Sequence, residues 1–144
     1  MIYKASKKDI LTIANLAVLL WKNHTVKELA DAFKVIINND ESAIFLLSTD
    51  NQTIGFAQCQ LRHDYVEGTD SSPVGYLEGI FVKQEYRNRG FATELLEKCQ
   101  EWAKEKGCRE FASDCELDNE VSLKFHLKVG FAEANRIICF TKQL

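Results

Sequence analysis

The run Val82-Lys-Gln-Glu-Tyr-Arg-Asn-Arg-Gly-Phe-Ala92 carries the residues a phosphate-binding turn needs. It follows a segment of strand formers and opens an amphipathic helical pattern, so the first amides of that helix are free of intrahelical partners. Such amides hold an anion by hydrogen bonds and by the helix dipole. Gly90 permits close backbone approach, Ala92 keeps the first turn uncrowded, and Arg87 and Arg89 add positive charge, Arg87 being the better placed to shape the turn. A basic surface turn before an ordinary helix would use much the same residues. The Gly-Lys-Ser/Thr ending is missing and so is GxGxxG, so nucleotide hydrolysis and dinucleotide binding both lose support.

Cysteine chemistry finds less footing. Cys59, Cys99, Cys108, Cys115 and Cys139 contain no close CxxC pair and are odd in number. That pattern fits reduced structural cysteines better than a disulfide framework or a zinc site. Cys115 follows Asp114, but no Cys-His arrangement accompanies it, so it is expected to be a buried thiol rather than a nucleophile.

The elements that must position these residues are legible in the hydrophobic pattern. A chain of 144 residues is expected to form one domain over residues 1–144 with a core of its own. Residues 2 to 5 read as a first strand, and 9 to 21 as a helix with Ile10, Ile13, Ala17, Leu20 and Trp21 on one stripe. Thr25-Val-Lys-Glu28 has the form of a capping box and starts a second helix, whose stripe is Leu29, Phe33, Ile36 and Ile37. Residues 42 to 48 and 53 to 61 read as a hairpin through Asp50-Asn51, 64 to 73 as a loop, and 74 to 82 as a strand interrupted by glycines. A helix from Gly90 to Lys106, a strand from Arg109 to Cys115, a helix from Asn119 to Val129 and a last strand from Phe131 to Thr141 complete the order β-α-α-β-β-β-α-β-α-β.

Charge and hydropathy narrow the partners. A formal net charge of -3 argues against a nucleic-acid binder and suits a cationic small substrate. No apolar stretch approaches the length of a membrane span, and the start Met1-Ile-Tyr-Lys-Ala-Ser lacks a signal-peptide core, so a cytoplasmic protein without a membrane partner is expected.

The segment Arg87-Asn-Arg-Gly-Phe-Ala92 matches the Arg/Gln-x-x-Gly-x-Gly/Ala motif, and Asn119 to Phe131 is similar to the cofactor-side helix and Gly-Phe exit, of the GCN5-related N-acetyltransferase superfamily. The element order resembles that fold along nearly the whole chain. The resemblance implies an α/β fold with a mixed, mostly antiparallel central sheet flanked by helices. It also implies acetyl-CoA as acetyl donor, with no metal. By that resemblance Arg87, Asn88, Arg89, Gly90, Phe91 and Ala92 hold the pyrophosphate, Ile80, Phe81 and Val82 pair with the pantetheine arm, and Asn119 and His126 lie along the cofactor.

Trp21, His24, Tyr65, the segment Tyr76 to Val82, Ala112-Ser-Asp114 and the tail Arg136 to Lys142 look closer still to the aminoglycoside 6′-N-acetyltransferases. This implies transfer of acetyl to the 6′-amine of an aminoglycoside by a homodimer joined through the C-terminal strand region. Asp114 is then expected to bind the acceptor amine and help remove its proton, and Glu78 to hold another amine or a water relay. Trp21, His24 and Tyr65 would wall the acceptor site, with Glu67 and Asp70 adding negative potential. His126 stands where many members of the superfamily carry a tyrosine that protonates the departing thiolate, which makes it a candidate acid. Asn135 stands where several aminoglycoside-modifying relatives look acidic. A polyamine or protein-amine acetyltransferase of the same fold, or a nonenzymatic acetyl-CoA-binding regulator, would share the cofactor turn and differ at the acceptor.

Overall fold

The computed structural model describes residues 1–144. Its centre is a sheet of five strands in the order β1-β2-β3-β4-β5. The strands are β1 (Ile2–Lys4), β2 (Ser42–Thr49), β3 (Gln52–Arg62), β4 (Val74–Val82) and β5 (Phe111–Ser113). Neighbours run antiparallel except β4 and β5, which are parallel and joined by the crossover helix α3 (Phe91–Glu105). A parallel pair needs such a crossover because no tight turn can return the chain in the same direction. The β2–β3 hairpin turns through Asp50 and Asn51, at φ 49° and 60°. Two successive left-handed residues match the twist of the strands, and Asp and Asn tolerate that conformation better than bulkier residues.

Helices α1 (Ile10–Leu20) and α2 (Val26–Ile37) cover one face of the sheet, and α3 covers the other. Ile44 and Leu46 of β2 pack toward α1 and α2, while Ala43, Phe45 and Leu47 pack toward α3. Alternate residues of one strand thus serve two cores, which is why β2 reads as an unbroken apolar run. Phe33 and Phe56 are 1% and 0% exposed where α2 meets the sheet. Truncating either to alanine should cost about 3–5 kcal/mol through lost transfer energy and the cavity left behind.

The caps agree with the sequence in part. Thr25 Oγ1 accepts the Glu28 N–H at 3.2 Å, but the return half of the expected box does not form, because Glu28 Oε2 lies 3.2 Å from His24 Nδ1. Helix α4 (Glu120–Lys128) is capped by Asn119, whose Oδ1 accepts the Ser122 N–H at 3.1 Å.

Two expectations are corrected. Phe131 to Thr141 forms no strand: Phe131 packs beside Phe111, and the chain then crosses the 64–73 loop, where Asn135 Nδ2 donates to Glu67 Oε1 at 3.0 Å. Beyond that point no strand edge of this chain lies alongside it, and Ile137, Ile138 and Phe140 are 66%, 78% and 88% exposed. Cys115 is exposed rather than buried, because β5 ends at Ser113 and the chain has left the sheet by then.

Candidate active site

The site begins with a mismatch in strand length. β4 continues to Val82, but its pairing with β5 ends at the rung Leu77↔Ser113, so from Glu78 onward one edge of β4 has no partner. On its other edge Gln58 pairs with Gly79 and Cys59 with Leu77, which leaves Glu78 as the extra residue of a β-bulge. A bulge bends and twists its strand, so β4 and β5 part here as a V. Backbone groups of residues 78 to 82 on that edge, apart from the Val82 carbonyl, offer an amide-bearing arm the bonds a missing strand would have made.

That edge leads to a helix start. After a short 3-10 turn over Gln84–Tyr86, Asn88 and Gly90 adopt φ 61° and 83°, and the first helical bond of α3 is Glu94 N–H to Gly90 C=O at 3.1 Å. The amides ahead of Glu94 therefore remain available to an anion. A Cβ on Gly90 would meet nothing within 4 Å, so within the free protein glycine is needed there for its backbone conformation. Arg87 does not reach outward: its Nε donates to the Val82 carbonyl at 2.8 Å and its guanidinium lies 5.5 Å from the Phe81 ring. Arg89 likewise donates to the Glu85 carbonyl at 3.2 Å, over the Tyr86 ring. Arg87 thus ties the turn to the end of β4 and Arg89 braces the turn itself, and both leave positive charge at its surface.

Side chains of Ile80 and Val82 pack toward α3, those of Phe91 and Ala92 in its first turn join the same core, and Phe81 packs toward α1 and α2, so these residues present backbone rather than side chain to the cleft. An extended amide arm ending in a pyrophosphate fits this groove: the strand edge from Leu77 to Val82 spans roughly 17 Å at about 3.3 Å per residue and finishes at free helix amides. No group of three or more His, Cys, Asp or Glu side chains comes together to hold a metal ion.

At the vertex of the V, the α1/α2 side of the sheet carries a linked polar set. Tyr76 pairs with Ala112 across the β4–β5 rung, and its hydroxyl donates to Asp114 Oδ2, two residues farther along. Arg62 Nη2 donates to both oxygens of Glu78, at 2.9 and 3.1 Å, and its guanidinium lies 3.4 Å from the Tyr76 ring centroid. Burial, and next the hydrogen bond to Asp114, push the Tyr76 phenol well above its ordinary range, so it stays protonated and keeps donating. Asp114 retains a second oxygen for an incoming amine. Glu78 meets such an amine only in competition with Arg62.

Trp21 closes this side. Its ring stands edge-on to Phe56 at 5.8 Å and lies over Gly79, where an added Cβ would come within 2.5 Å of Trp21 Cζ2. Gly79 is therefore the seat of the indole. Tyr65 is 78% exposed on the 64–73 loop, and its hydroxyl donates to Glu67 Oε2 at 3.3 Å. The Asp70 amide and the Ser71 hydroxyl both donate to Glu110 Oε1, which fastens the loop to the start of β5. His24 stands apart, engaged with Glu28 in solvent. The fold thus gathers Trp21, Glu78 and Asp114 at the vertex and keeps Tyr65, Glu67 and Asp70 on the overhanging loop.

On the α3/α4 side of the same vertex, His126 Nε2 lies 2.8 Å from Ser113 Oγ and its Nδ1 2.7 Å from the Ser122 carbonyl. Arg62 is missing from the sequence reading, and Gly79 and Ser113 stand in it only inside the segments Tyr76 to Val82 and Ala112 to Asp114, without roles of their own. Strand alternation could have found one link, since Tyr76 and Glu78 are two apart and share a face if the bulge is ignored. The long-range pairing of Arg62 with Glu78 had no local signal.

A sheet that splits at a bulge beside a phosphate-sized helix start can hold an extended amide arm that ends in a pyrophosphate. The chain belongs to the acetyltransferase (GNAT) family, whose profile matches residues 13–131. It is 46% identical over 125 residues, 86% of each chain, to the aminoglycoside N(6′)-acetyltransferase type 1 of Salmonella typhimurium. It is 37% identical to the protein of the same name from Acinetobacter haemolyticus, covering 98% of this chain and 94% of that one. Among solved structures, AAC(6′)-Iy in complex with the bisubstrate analogue CoA-S-monomethyl-acetylneamine superposes with a TM-score of 0.96 at 40% identity, covering 100% of this chain and 98% of that one. The protein is accordingly an acetyl-CoA-dependent N-acetyltransferase.

Proposed function

We propose that this protein moves the acetyl group of acetyl-CoA directly to the 6′-amine of an aminoglycoside. The observation that carries the reading is the acidic and aromatic set at the vertex: Trp21 over Gly79, Glu78 at the bulge, and Asp114 held by Tyr76, all beside the unpaired edge of β4. The relatives that share most of its length carry the same acceptor in their names. An aliphatic amine arrives largely protonated at neutral pH and must lose a proton before it can attack. Asp114 binds the ammonium and takes that proton, directly or through water, while the Tyr76 hydroxyl fixes the carboxylate. Backbone N–H groups around Ile80 to Val82 face the developing oxyanion. Trp21 and Tyr65 supply flat apolar surface for the sugar rings, with Glu67 and Asp70 drawing in the polycation.

The test is CoA thiol release from acetyl-CoA with kanamycin, against no-acceptor and spermidine reactions, with the product identified by mass. Drug-dependent release with acetylation at the 6′ position is expected. Turnover of spermidine alone would transfer the enzyme to polyamines, and silence with both would remove the reading.

Two further features belong to the proposal. The protein works as a homodimer in which the tail from Arg136 to Lys142, rich in strand formers and without a partner in its own chain, pairs with the second copy. Sedimentation of the intact chain and of an Ile138→Lys variant tests this, the variant being expected to shift toward monomer. Its place is the cytoplasm, which agrees with two exposed free thiols at Cys115 and Cys139. Fractionation of cells expressing the chain with its own N-terminus checks that.

A further inference from the structure

We propose that Ser113 is a catalytic residue of this transfer, handing its hydroxyl proton to the departing CoA sulfur, and that His126 acts through Ser113 as the group that replaces that proton. The proposal rests on the acetyl-transfer reading above and deepens it. Its starting point is an alternation. Asp114 bonds Tyr76 on the α1/α2 side of the sheet, whereas Ser113, the preceding residue, bonds His126 of α4 on the other side. Successive residues of a strand point to opposite faces, so the end of β5 presents a base to one side of the vertex and a hydroxyl to the other. An amine that attacks from the Asp114 side expels sulfur toward the side where Ser113 stands.

Ser113 also sits at the right depth. Its rung with Leu77 is the last before the strands part, and its Oγ is 3.4 Å from the Leu77 carbonyl. A cofactor arm that follows the free edge of β4 inward from the α3 turn ends there. His126 is too well occupied to turn toward the cleft. Nδ1 faces the Ser122 carbonyl at 2.7 Å, with Ser122 Oγ at 3.3 Å, Nε2 faces Ser113 Oγ at 2.8 Å, and the ring lies 5.1 Å from that of Phe131. A carbonyl only accepts, so Nδ1 carries a proton in every charge state, and the one exchangeable position on the ring is Nε2, which faces Ser113.

The step balances as follows. The amine nitrogen bonds to the acetyl carbon, and the carbon–sulfur bond breaks with its electron pair on sulfur. Sulfur takes the Ser113 hydroxyl proton, Ser113 Oγ takes the Nε2 proton of the imidazolium, and the neutral imidazole left behind is reprotonated by solvent. Serine remains unacylated throughout, and no oxidant or further reactant is needed.

The experiment compares wild type with Ser113→Ala, Ser113→Thr, His126→Ala and the double alanine variant. Steady-state turnover is read together with intact mass and with ring-nitrogen NMR of the free enzyme. Ser113→Ala and His126→Ala are each expected to lower kcat about 10²-fold, with KM for acetyl-CoA within about two-fold of wild type. The double variant should be no worse than either single, as for two groups acting in series, and Ser113→Thr should recover most of the rate. At alkaline pH the spectrum should show His126 protonated at Nδ1, and Ser113→Ala should move the Nε2 resonance. An Nε2–H tautomer, multiplicative losses in the double variant, or unchanged kcat in Ser113→Ala would each overturn the proposal. An acetylated Ser113 after mixing with acetyl-CoA alone would replace it with covalent catalysis. If wild type acetylates spermidine and not kanamycin, the acceptor assignment fails while the Ser113 comparison is read on spermidine; if it acetylates neither, both fail.

Discussion

The two arms of the V hold their ligands by different means. Along β4 and the start of α3 the groups on offer are backbone amides and carbonyls, and the arginines of the turn fold back to brace it. At the vertex the groups on offer are side chains, linked from Arg62 to Glu78 and, by way of the Tyr76 ring and hydroxyl, to Asp114. A backbone grip is indifferent to most side-chain changes and sensitive to backbone conformation. A side-chain grip is the reverse, and because its members share partners, changes in it do not add. Donor binding and acceptor chemistry should therefore separate cleanly under mutation.

The largest separation is expected at Asp114. Asp114→Asn keeps a hydrogen-bonding partner for Tyr76 but loses the proton acceptor, so kcat/KM for the aminoglycoside should fall about 10²–10³-fold with KM for acetyl-CoA unchanged. Steady-state kinetics against both substrates decides this. A matching loss of donor affinity would show that the two arms are one unit.

Gly79→Val should come next, because it attacks the seat of Trp21 without touching a polar group. The added Cβ would stand 2.5 Å from Cζ2 and 2.9 Å from Cη2 of the indole, so the ring must leave. Overpacking of this kind costs about 1–3 kcal/mol in stability. The expected result is a lowered Tm and a raised KM for the aminoglycoside, with donor binding kept. Arg62→Met should have a smaller effect of mixed sign. It removes the cation that competes with an acceptor amine for Glu78, so acceptor KM is expected to fall a few-fold while kcat drops as Tyr76 loses the group stacked on its ring.

The same contrast explains what the sequence disclosed. The donor arm is a local feature: a strand, a turn with Gly90 and a helix within a dozen residues, all readable from propensity and spacing. The two faces of the sheet were readable too, since β2 is apolar throughout and α2 carries Leu29 and Phe33 on one stripe. The acceptor arm depends on contacts across long separations, Arg62 with Glu78 and Tyr76 with Asp114, and on a bulge at Glu78 that changes which side Gly79 and the residues after it face. Neither leaves a mark on neighbouring residues. The tail shows the opposite failure: Arg136 to Thr141 has the composition of a strand, but composition cannot bring it to a partner edge, and within one chain it pairs with none.

The smallest effect is expected where the acceptor arm meets the overhanging loop. The Ser71 hydroxyl and the Asp70 amide hold the Glu110 carboxyl below its usual value, because both donate to its ionised form. A depressed folded value means that the tether is complete above the ordinary carboxylate range and is lost as pH falls through the folded value. Glu110 is only half-buried and its partners lie on a surface loop, so the consequence is local loosening of the 64–73 loop rather than global unfolding. Hydrogen exchange at the Asp70 amide should be slow at neutral pH and speed up on acidification, and Glu110→Gln should show faster exchange already at neutral pH. Tyr65 and Glu67 ride on this loop, so the same variant should raise acceptor KM slightly and leave donor KM alone. A change in donor KM would mean that the loop also orders the vertex, and the division between the two arms would then have to be drawn at the loop instead of at the end of β5.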